Sequence, residues 1–105
     1  MNTSAKALAA LGDSTRRQIF ERLRKGPLSV VHIADGLAVS RPAVSQHLKV
    51  LKDAKLIRMN KEGAKSIYTV NPEGLEAIRS YLDSFWTNAL NAFQKAAEAE
   101  HKKRK

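Results

Sequence analysis

Two helical patterns that are separated by only four residues constrain the fold of this chain more than any other feature. In residues 29–36, apolar side chains recur at helical spacing, and Ser29 is placed to cap the predicted helix. After the turn LAVS at residues 37–40, Ser40 caps a second predicted helix, with Pro42 in the first turn, where its missing N–H costs nothing. Because so short a turn keeps the two helices together, the sequence predicts a helix-turn-helix.

The second of these helices has an apolar side and a polar side. Val44, Leu48 and Leu51 follow one another at spacings of four and three, so they are predicted to face a core. The opposite side has no acidic residue before Asp53, and it carries Pro42, Ser45, Gln46 and Lys49. A solvated surface is the commonest reason for such a polar face. Other parts of the chain therefore have to show whether this face binds a partner.

The composition favours a polyanionic partner. Nineteen Lys and Arg residues against ten Asp and Glu give a net charge of +9 and an isoelectric point near 10.2. Nucleic acid fits this charge best, although an acidic membrane would also attract it. We expect one domain over residues 1–100, followed by a basic disordered tail at 101–105. No apolar run reaches the roughly eighteen residues of a membrane span, and no secretory signal is recognised, so a cytoplasmic location is expected.

The residue types that catalytic and metal sites need are scarce. The absence of cysteine excludes disulfides, thiolate nucleophiles, thiol redox sensing and thiolate metal sites. The histidines His32, His47 and His101 fall on three different predicted elements, and no glycine-rich phosphate loop follows a strand. The sequence therefore predicts neither an enzyme nor a protein with a cofactor.

The flanking elements predict the winged form of the motif. Residues 3–11 are predicted to form a short helix, and Asp13 caps a second helix that the following Gly-Pro pair ends. The segment at residues 56–70 is rich in Ile, Val, Tyr and Thr and is broken at KEG, which indicates a β-hairpin with Gly63 at its tip. The predicted fold is mainly α with a small β-hairpin: a winged helix-turn-helix with a long C-terminal dimerisation helix.

The last helix is predicted from Glu73 to Glu100, a length of about 42 Å. Its apolar positions recur at threes and fours and extend further than a small core needs, which indicates a second copy of the chain as partner. Its first turns, from Leu75 to Leu82, are expected to pack partly on their own domain. The predicted homodimer interface consists of Leu8, Leu11, Leu82, Phe85, Trp86, Ala89 and Phe93.

The chain is similar to the ArsR/SmtB family of bacterial winged-helix repressors from Ala7 to about Ala99. The resemblance is carried by the segments ALGDSTRRQIFERL, LSVVHIADGLAVSRPAVSQHLKVLKDAKLI and EGAKSIYTVNP. It implies a homodimer that binds operator DNA and leaves it on receiving a signal. The chain departs from the family pattern at Ala38 and Lys55, where glycine is usual, and at Ser14, where proline is usual. A left-handed backbone at either of the first two positions would cost about 1–2 kcal/mol.

In a protein of this kind, the polar face of the second motif helix is predicted to enter the major groove of DNA. Gln46 is suited to a bidentate contact with adenine, and Ser45 donates or accepts at several base edges. Lys49 is expected to meet a phosphate, whereas Lys52 fits a phosphate contact and a solvent-exposed charge equally well. Arg41 is suited to guanine and to a phosphate, and the sequence leaves both open.

Further contacts are predicted around this face. Lys61 and Lys65 flank the tip of the wing, from which they reach the DNA backbone or the minor groove. Pro42 touches a thymine methyl or serves only to start the helix. Arg16 fits a phosphate contact and an internal salt bridge about equally. His47 is expected to be a partly buried, hydrogen-bonded side chain.

Two questions stay open at the level of sequence. A nucleoid-associated or RNA-binding protein that uses charge without sequence preference is the alternative to a repressor. The controlling signal is also unassigned, because His32 and Asp35 offer only two metal ligands where zinc sites use three or four. We therefore expect no metal or thiol regulation, and control by the protein's own concentration, a small ligand or a protein partner.

Overall fold

A computed structural model describes residues 2–103, which contain five α-helices and three β-strands. The fold is the predicted winged helix-turn-helix, in which α3 and α4 form the motif and the hairpin β2–β3 forms the wing. In chain order the elements are α1 (Thr3–Leu11), α2 (Ser14–Arg24), β1 (Leu28–Ser29), α3 (Val30–Ala34), α4 (Arg41–Asp53), β2 (Ile57–Glu62), β3 (Lys65–Val70) and α5 (Pro72–Lys103).

The wing belongs to a three-stranded antiparallel sheet in the order β1-β3-β2. The hairpin pairs Glu62 with Lys65, so that Gly63 and Ala64 form its tip. Gly63 has a φ of 63°, a backbone conformation that glycine adopts without steric cost, as predicted. The short strand β1 was not predicted, because two residues are too few to show an alternating pattern.

Of the two side-chain caps predicted for the helix-turn-helix, one forms. Ser40 Oγ accepts a hydrogen bond from the N–H of Ala43 at 3.3 Å and so caps α4. Ser29 makes no side-chain cap to α3, because its hydroxyl pairs with His32 Nδ1 at 2.8 Å. The predicted end of this helix near Gly36 is also wrong: α3 ends at Ala34, since the next residue is already extended.

The core lies between the first four helices and the base of the wing. Val44, Leu48 and Leu51 of α4 are buried in it, as their spacing predicts. Each such side chain contributes about 1.5–3 kcal/mol by leaving water. In α1 the buried positions are Ala7 and Ala10, and the larger apolar side chains of that helix face outward or lie at the margin of the core.

Helix α4 ends in a Schellman motif. The N–H of Leu56 donates to the carbonyl of Leu51, and the N–H of Lys55 donates to that of Lys52. Lys55 has a φ of 61° and so takes the left-handed conformation expected where glycine is usual. Ala38 does not: the positive φ near the end of α3 falls on Gly36, at 76°. Of the two positions where glycine is usual in the family, only Lys55 therefore has a strained backbone.

Lys55→Gly is expected to stabilise the protein by roughly 0.5–1 kcal/mol. Relief of the left-handed strain gains about 1–2 kcal/mol, and the added freedom of the unfolded chain offsets about 0.4–1 kcal/mol of it. Loss of the exposed ion pair with Glu73, at 3.8 Å, matters little. Urea unfolding at a fixed protein concentration measures the change, with Ala38→Gly as the control that gains nothing. Equal or lower stability of Lys55→Gly would contradict this reading.

Helix α5 starts against the end of α4. The buried Asn71 donates its N–H to the carbonyl of Leu56 at 2.8 Å, and its Oδ1 caps the N–H of Glu73 at 3.0 Å. The helix then runs for 32 residues to Lys103, a length of about 48 Å. The sequence predicted a disordered tail from residue 101, but the helix continues through residue 103. The alanines and charged residues before the tail favour helix, and no proline or glycine interrupts them. Residues 104 and 105 lie outside the described part.

Candidate nucleic-acid interface

The polar face of α4 is fully open to solvent. Ser45, Gln46 and Lys49 are exposed, while Val44 and Leu48 on the apolar side of the helix are buried. The remaining predicted residues of this helix are also exposed, and these are Arg41, Pro42 and Lys52. The orientation that the sequence predicted for this helix is thus the one observed. A row of donors and acceptors on a helix of 13 residues matches what a major groove admits.

The wing presents one lysine on each side of its tip. Lys61 pairs with Ser66 and Lys65 pairs with Glu62 across the hairpin, and both lysine side chains are exposed. A further cation, Arg58, is exposed on β2 and was not assigned by the sequence analysis. The sequence showed only a basic residue near the start of a predicted strand. Periodicity alone does not say which face of the sheet such a residue lies on.

A cavity of about 420 Å³ lies between the start of α4 and the wing. It brings Arg41 and Lys65 to one site, although they belong to different elements. It has no carboxylate in its wall, which is formed by Ser29, Val30, Val31, His32, Arg41, Ala64, Lys65 and Ser66. The sequence placed both cations on a DNA-binding surface but gave no sign that they share a cavity.

Arg16 is engaged inside the protein. Its Nε donates to the carbonyl of Ala10 at 2.7 Å, and a longer contact of 3.5 Å reaches the carbonyl of Ala9. Its Nη1 lies 3.5 Å from Nδ1 of His47, which is partly buried as predicted. The guanidinium therefore closes the carbonyl end of α1 and contacts α4, an internal role different from the salt bridge considered for it.

The same turn perturbs one carboxyl group. The N–H of Arg16 donates to Asp13 Oδ2 at 2.9 Å, and this hydrogen bond is the main reason why the pKa of Asp13 lies below its usual value. Desolvation opposes this effect by raising the pKa of Asp13, and the charges of Arg16 and His47 lower it by smaller amounts than the hydrogen bond does. Because the folded-state pKa is depressed, the cap stabilises the fold above the usual carboxyl pKa and loses this effect as the pH falls through the lowered value.

A broad apolar surface covers the outer part of α5. Phe85, Trp86 and Phe93 are exposed by 56%, 67% and 75%, and Leu82 by 46%. Ala89 is exposed beside them. We name this set, with two residues that the sequence analysis missed, the α5 face: Tyr81, Leu82, Phe85, Trp86, Ala89, Leu90 and Phe93.

The α5 face is wider than the predicted seam. Leu90 was missed because the prediction followed one row of threes and fours through Phe85 and Ala89, and a second row passes through Trp86 and Leu90. Tyr81 packs edge-on against Phe85, with ring centroids 4.9 Å apart. Of the two α1 residues predicted for the interface, Leu8 is 38% exposed, whereas Leu11 packs partly against its own core.

Among residues 2–103, no three His, Asp or Glu side chains come close enough to form a metal site. His32 is paired with Ser29, and His47 with Arg16. Nor does this part of the chain contain a helix that is long and apolar enough to span a membrane.

Comparison with known proteins places the chain among transcriptional regulators. A sequence model described as a helix-turn-helix domain matches residues 11–60. The HTH-type transcriptional regulator Rv2034 of Mycobacterium tuberculosis is 50% identical over 95 residues, which is 90% of this chain and 89% of that protein. The transcriptional repressor SdpR of Bacillus subtilis is 32% identical over 72% of this chain and 84% of its own length. Among solved structures, an ArsR-like transcriptional regulator from Rhodococcus sp. RHA1 superposes with a TM-score of 0.73 and 30% identity, covering 90% of this chain and 92% of that one.

Proposed function

Because the chain belongs to the ArsR/SmtB family of winged helix-turn-helix transcriptional regulators, we propose that it is a repressor that binds an inverted-repeat operator as a homodimer. The observation that carries this proposal is the exposed polar face of α4, which has a fully buried apolar side behind it and a basic wing beside it. Similarity to a protein named as a repressor supports the direction of regulation. Its place of action is the compartment that holds the DNA, which in a bacterium is the cytoplasm.

The contacts divide into two kinds. Ser45 and Gln46, at the centre of the exposed face, contact base edges in the major groove and select the sequence. Exposed cations contact phosphates and supply affinity, and the exposed Pro42 is a candidate for contact with a thymine methyl. These cations are Lys49, Lys52, Lys61 and Lys65. Arg16 is left out of the proposed interface because its guanidinium is engaged with α1 and His47.

The α5 face is the proposed homodimer interface, together with the exposed Leu8 of α1, a helix that packs against α5. A contiguous apolar surface of this size on an isolated chain marks an interaction site. In a two-fold dimer the same face pairs with itself, and two α4 helices then enter major grooves about one helical turn apart, roughly 34 Å. The operator is accordingly an inverted repeat.

Competition between DNA molecules tests the proposal directly. The operator is first selected from random duplexes by binding to the purified full chain, and genome-wide mapping of bound DNA shows whether the protein's own promoter carries it. Excess operator should then displace the protein from labelled operator far better than equal excess of random duplex does. Equal competition by both would instead identify a nonspecific nucleoid-associated or RNA-binding protein, which the charge of +9 alone would explain.

Gln46→Ala is expected to reduce discrimination between operator and random duplex by about 1–3 kcal/mol, because one bidentate base contact is lost. Binding to random duplex should change little. Affinities for both duplexes at one salt concentration measure this. Lys49→Ala, on the same exposed face, is the matched comparison: it should weaken both duplexes alike and reduce the salt slope by about one. Equal losses on both duplexes for Gln46→Ala would remove it from the specificity role.

Metal ions are expected to leave operator binding unchanged. The chain has no cysteine to bind thiophilic ions such as arsenite or cadmium, and the two candidate ligands His32 and Asp35 are fewer than zinc requires. We propose control by concentration, by a small ligand or by a protein partner instead. Operator binding is measured with zinc, cadmium, nickel and arsenite, each with and without a chelator. A stoichiometric loss of binding that the chelator reverses would overturn this prediction.

A further inference from the structure

We infer that Arg41 contacts a DNA phosphate, not guanine, and that it shares this phosphate with Lys65 in the cavity between α4 and the wing. The inference rests on the proposed function and decides a question that the residue type leaves open, since arginine binds guanine and phosphate equally readily. Ser29, His32 and Ser66, which carry hydroxyl and imidazole groups, line the same cavity.

The cavity has the electrostatics of an anion site. Arg41 and Lys65 both line it and both are exposed, and no carboxylate is among the eight residues of its wall. Within the described part of the chain, neither cation has an acidic partner within 4.0 Å. Two like charges that line one cavity repel each other, and a single anion between them adds two attractions that outweigh this repulsion.

Neutral hydrogen-bonding groups border the same cavity. Ser29 does not cap α3, and its hydroxyl pairs with Nδ1 of His32 at 2.8 Å. This pairing leaves Nε2 of the exposed imidazole for another partner. The hydroxyl of Ser66 comes from the wing. When the Ser29 hydroxyl donates to Nδ1, Nε2–H of His32 is free to donate, so the donors available to a phosphate oxygen are this N–H, the Ser66 hydroxyl and the Arg41 guanidinium.

The position of the cavity favours a phosphate over a guanine edge as the shared ligand. Base edges lie on the floor of the major groove, where the centre of α4, with Ser45 and Gln46, points. Arg41 is instead the first residue of α4 and faces the wing across the cavity. A group that both α4 and a neighbouring wing reach lies at the margin of the groove, and the sugar-phosphate backbone forms that margin.

Binding to a random-sequence duplex tests the inference without knowledge of the operator. Arg41→Ala should lower affinity for operator and random duplex by the same factor, about three- to tenfold at moderate salt. If Arg41 and Lys65 share one phosphate, the double variant Arg41→Ala/Lys65→Ala should reduce the salt slope by about one per subunit, whereas two separate phosphates would give about two. Lys95→Ala, an exposed lysine on α5, is the matched control and should change neither quantity.

A second measurement needs no DNA. Inorganic phosphate, added at constant ionic strength against chloride, should shift the amide resonances of residues 29–32, 41 and 64–66, and these shifts should vanish in Arg41→Ala. Three results would overturn the inference: Arg41→Ala weakens operator but spares random duplex, the double variant loses two units of slope per subunit, or phosphate shifts no resonance around the cavity. If operator is not preferred over random duplex, the repressor proposal fails while both measurements of the phosphate site still apply.

Discussion

Phe85→Glu is expected to leave the protein folded but monomeric and unable to shift its operator. Phe85 is 56% exposed on the isolated chain, so a glutamate there removes little from the core of the subunit. In a two-fold dimer the substitution places a carboxylate on each copy of an apolar interface, and each loses water without gaining a partner. A single recognition helix then provides too few contacts for tight binding.

Sedimentation and mobility shift at the same protein concentration measure this result. The chain contains one tryptophan, Trp86, which is 67% exposed and lies in the α5 face, so its emission should shift to shorter wavelength as the unmodified protein dimerises. In Phe85→Glu that shift should disappear, with helical content retained. Thr87→Glu adds the same charge to an exposed position of the same helix outside the α5 face, and it should remain dimeric. A monomeric Phe85→Glu with unchanged operator affinity would refute the dimer proposal.

Gly74→Ala is expected to destabilise the fold by about 2 kcal/mol, although alanine favours helix by about 1 kcal/mol over glycine. A Cβ at position 74 would lie 2.6 Å from the carbonyl oxygen of Lys55 and 2.8 Å from its carbon. Both are backbone atoms that no rotamer change moves away. The N–H of Gly74 also donates to this oxygen at 2.8 Å, so relief of the clash would lengthen a hydrogen bond.

Urea unfolding of Gly74→Ala at a fixed protein concentration gives the change in free energy. Ser80→Ala, at an exposed position of α5, is the control and should stay within about 0.5 kcal/mol of the unmodified protein. If Gly74→Ala were as stable as the unmodified protein or more so, helix propensity would outweigh the contact with Lys55, and the close approach of α5 to the end of α4 would be wrong.

The successful sequence predictions all concern local signals. Asp13 and Ser40 act as helix caps, Gly63 forms the tip of the wing, and Val44 and Leu48 face the core. Each depends on residues within a few positions of one another, because caps, turns and apolar periodicity arise within one or two helical turns or along one strand. The exposed face of α4 follows from the same periodicity, and so the candidate DNA-binding residues of this helix could be placed from sequence.

Some failures are local, such as the end of α3 and the second apolar row of α5, and the others concern contacts between different elements. The pairing of β1 with β3 and the engagement of Arg16 with α1 and His47 depend on where other elements pack. Arg16, which has several hydrogen-bonding options, takes the partners that the packing of α1 and α4 places nearest, and the residue type does not choose among them.

The sequence by itself determined the helices, the wing, the apolar and polar sides of α4 and the excess of positive charge, since these depend on residue order and composition alone. Only the tertiary structure decided that Lys55 and not Ala38 takes the left-handed conformation, because that depends on how α4 ends against α5. Only the tertiary structure brought Arg41 to the same cavity as Lys65. The packing of the core brings the start of α4 and strand β3 of the wing close together. This proximity cannot be predicted from a local sequence pattern.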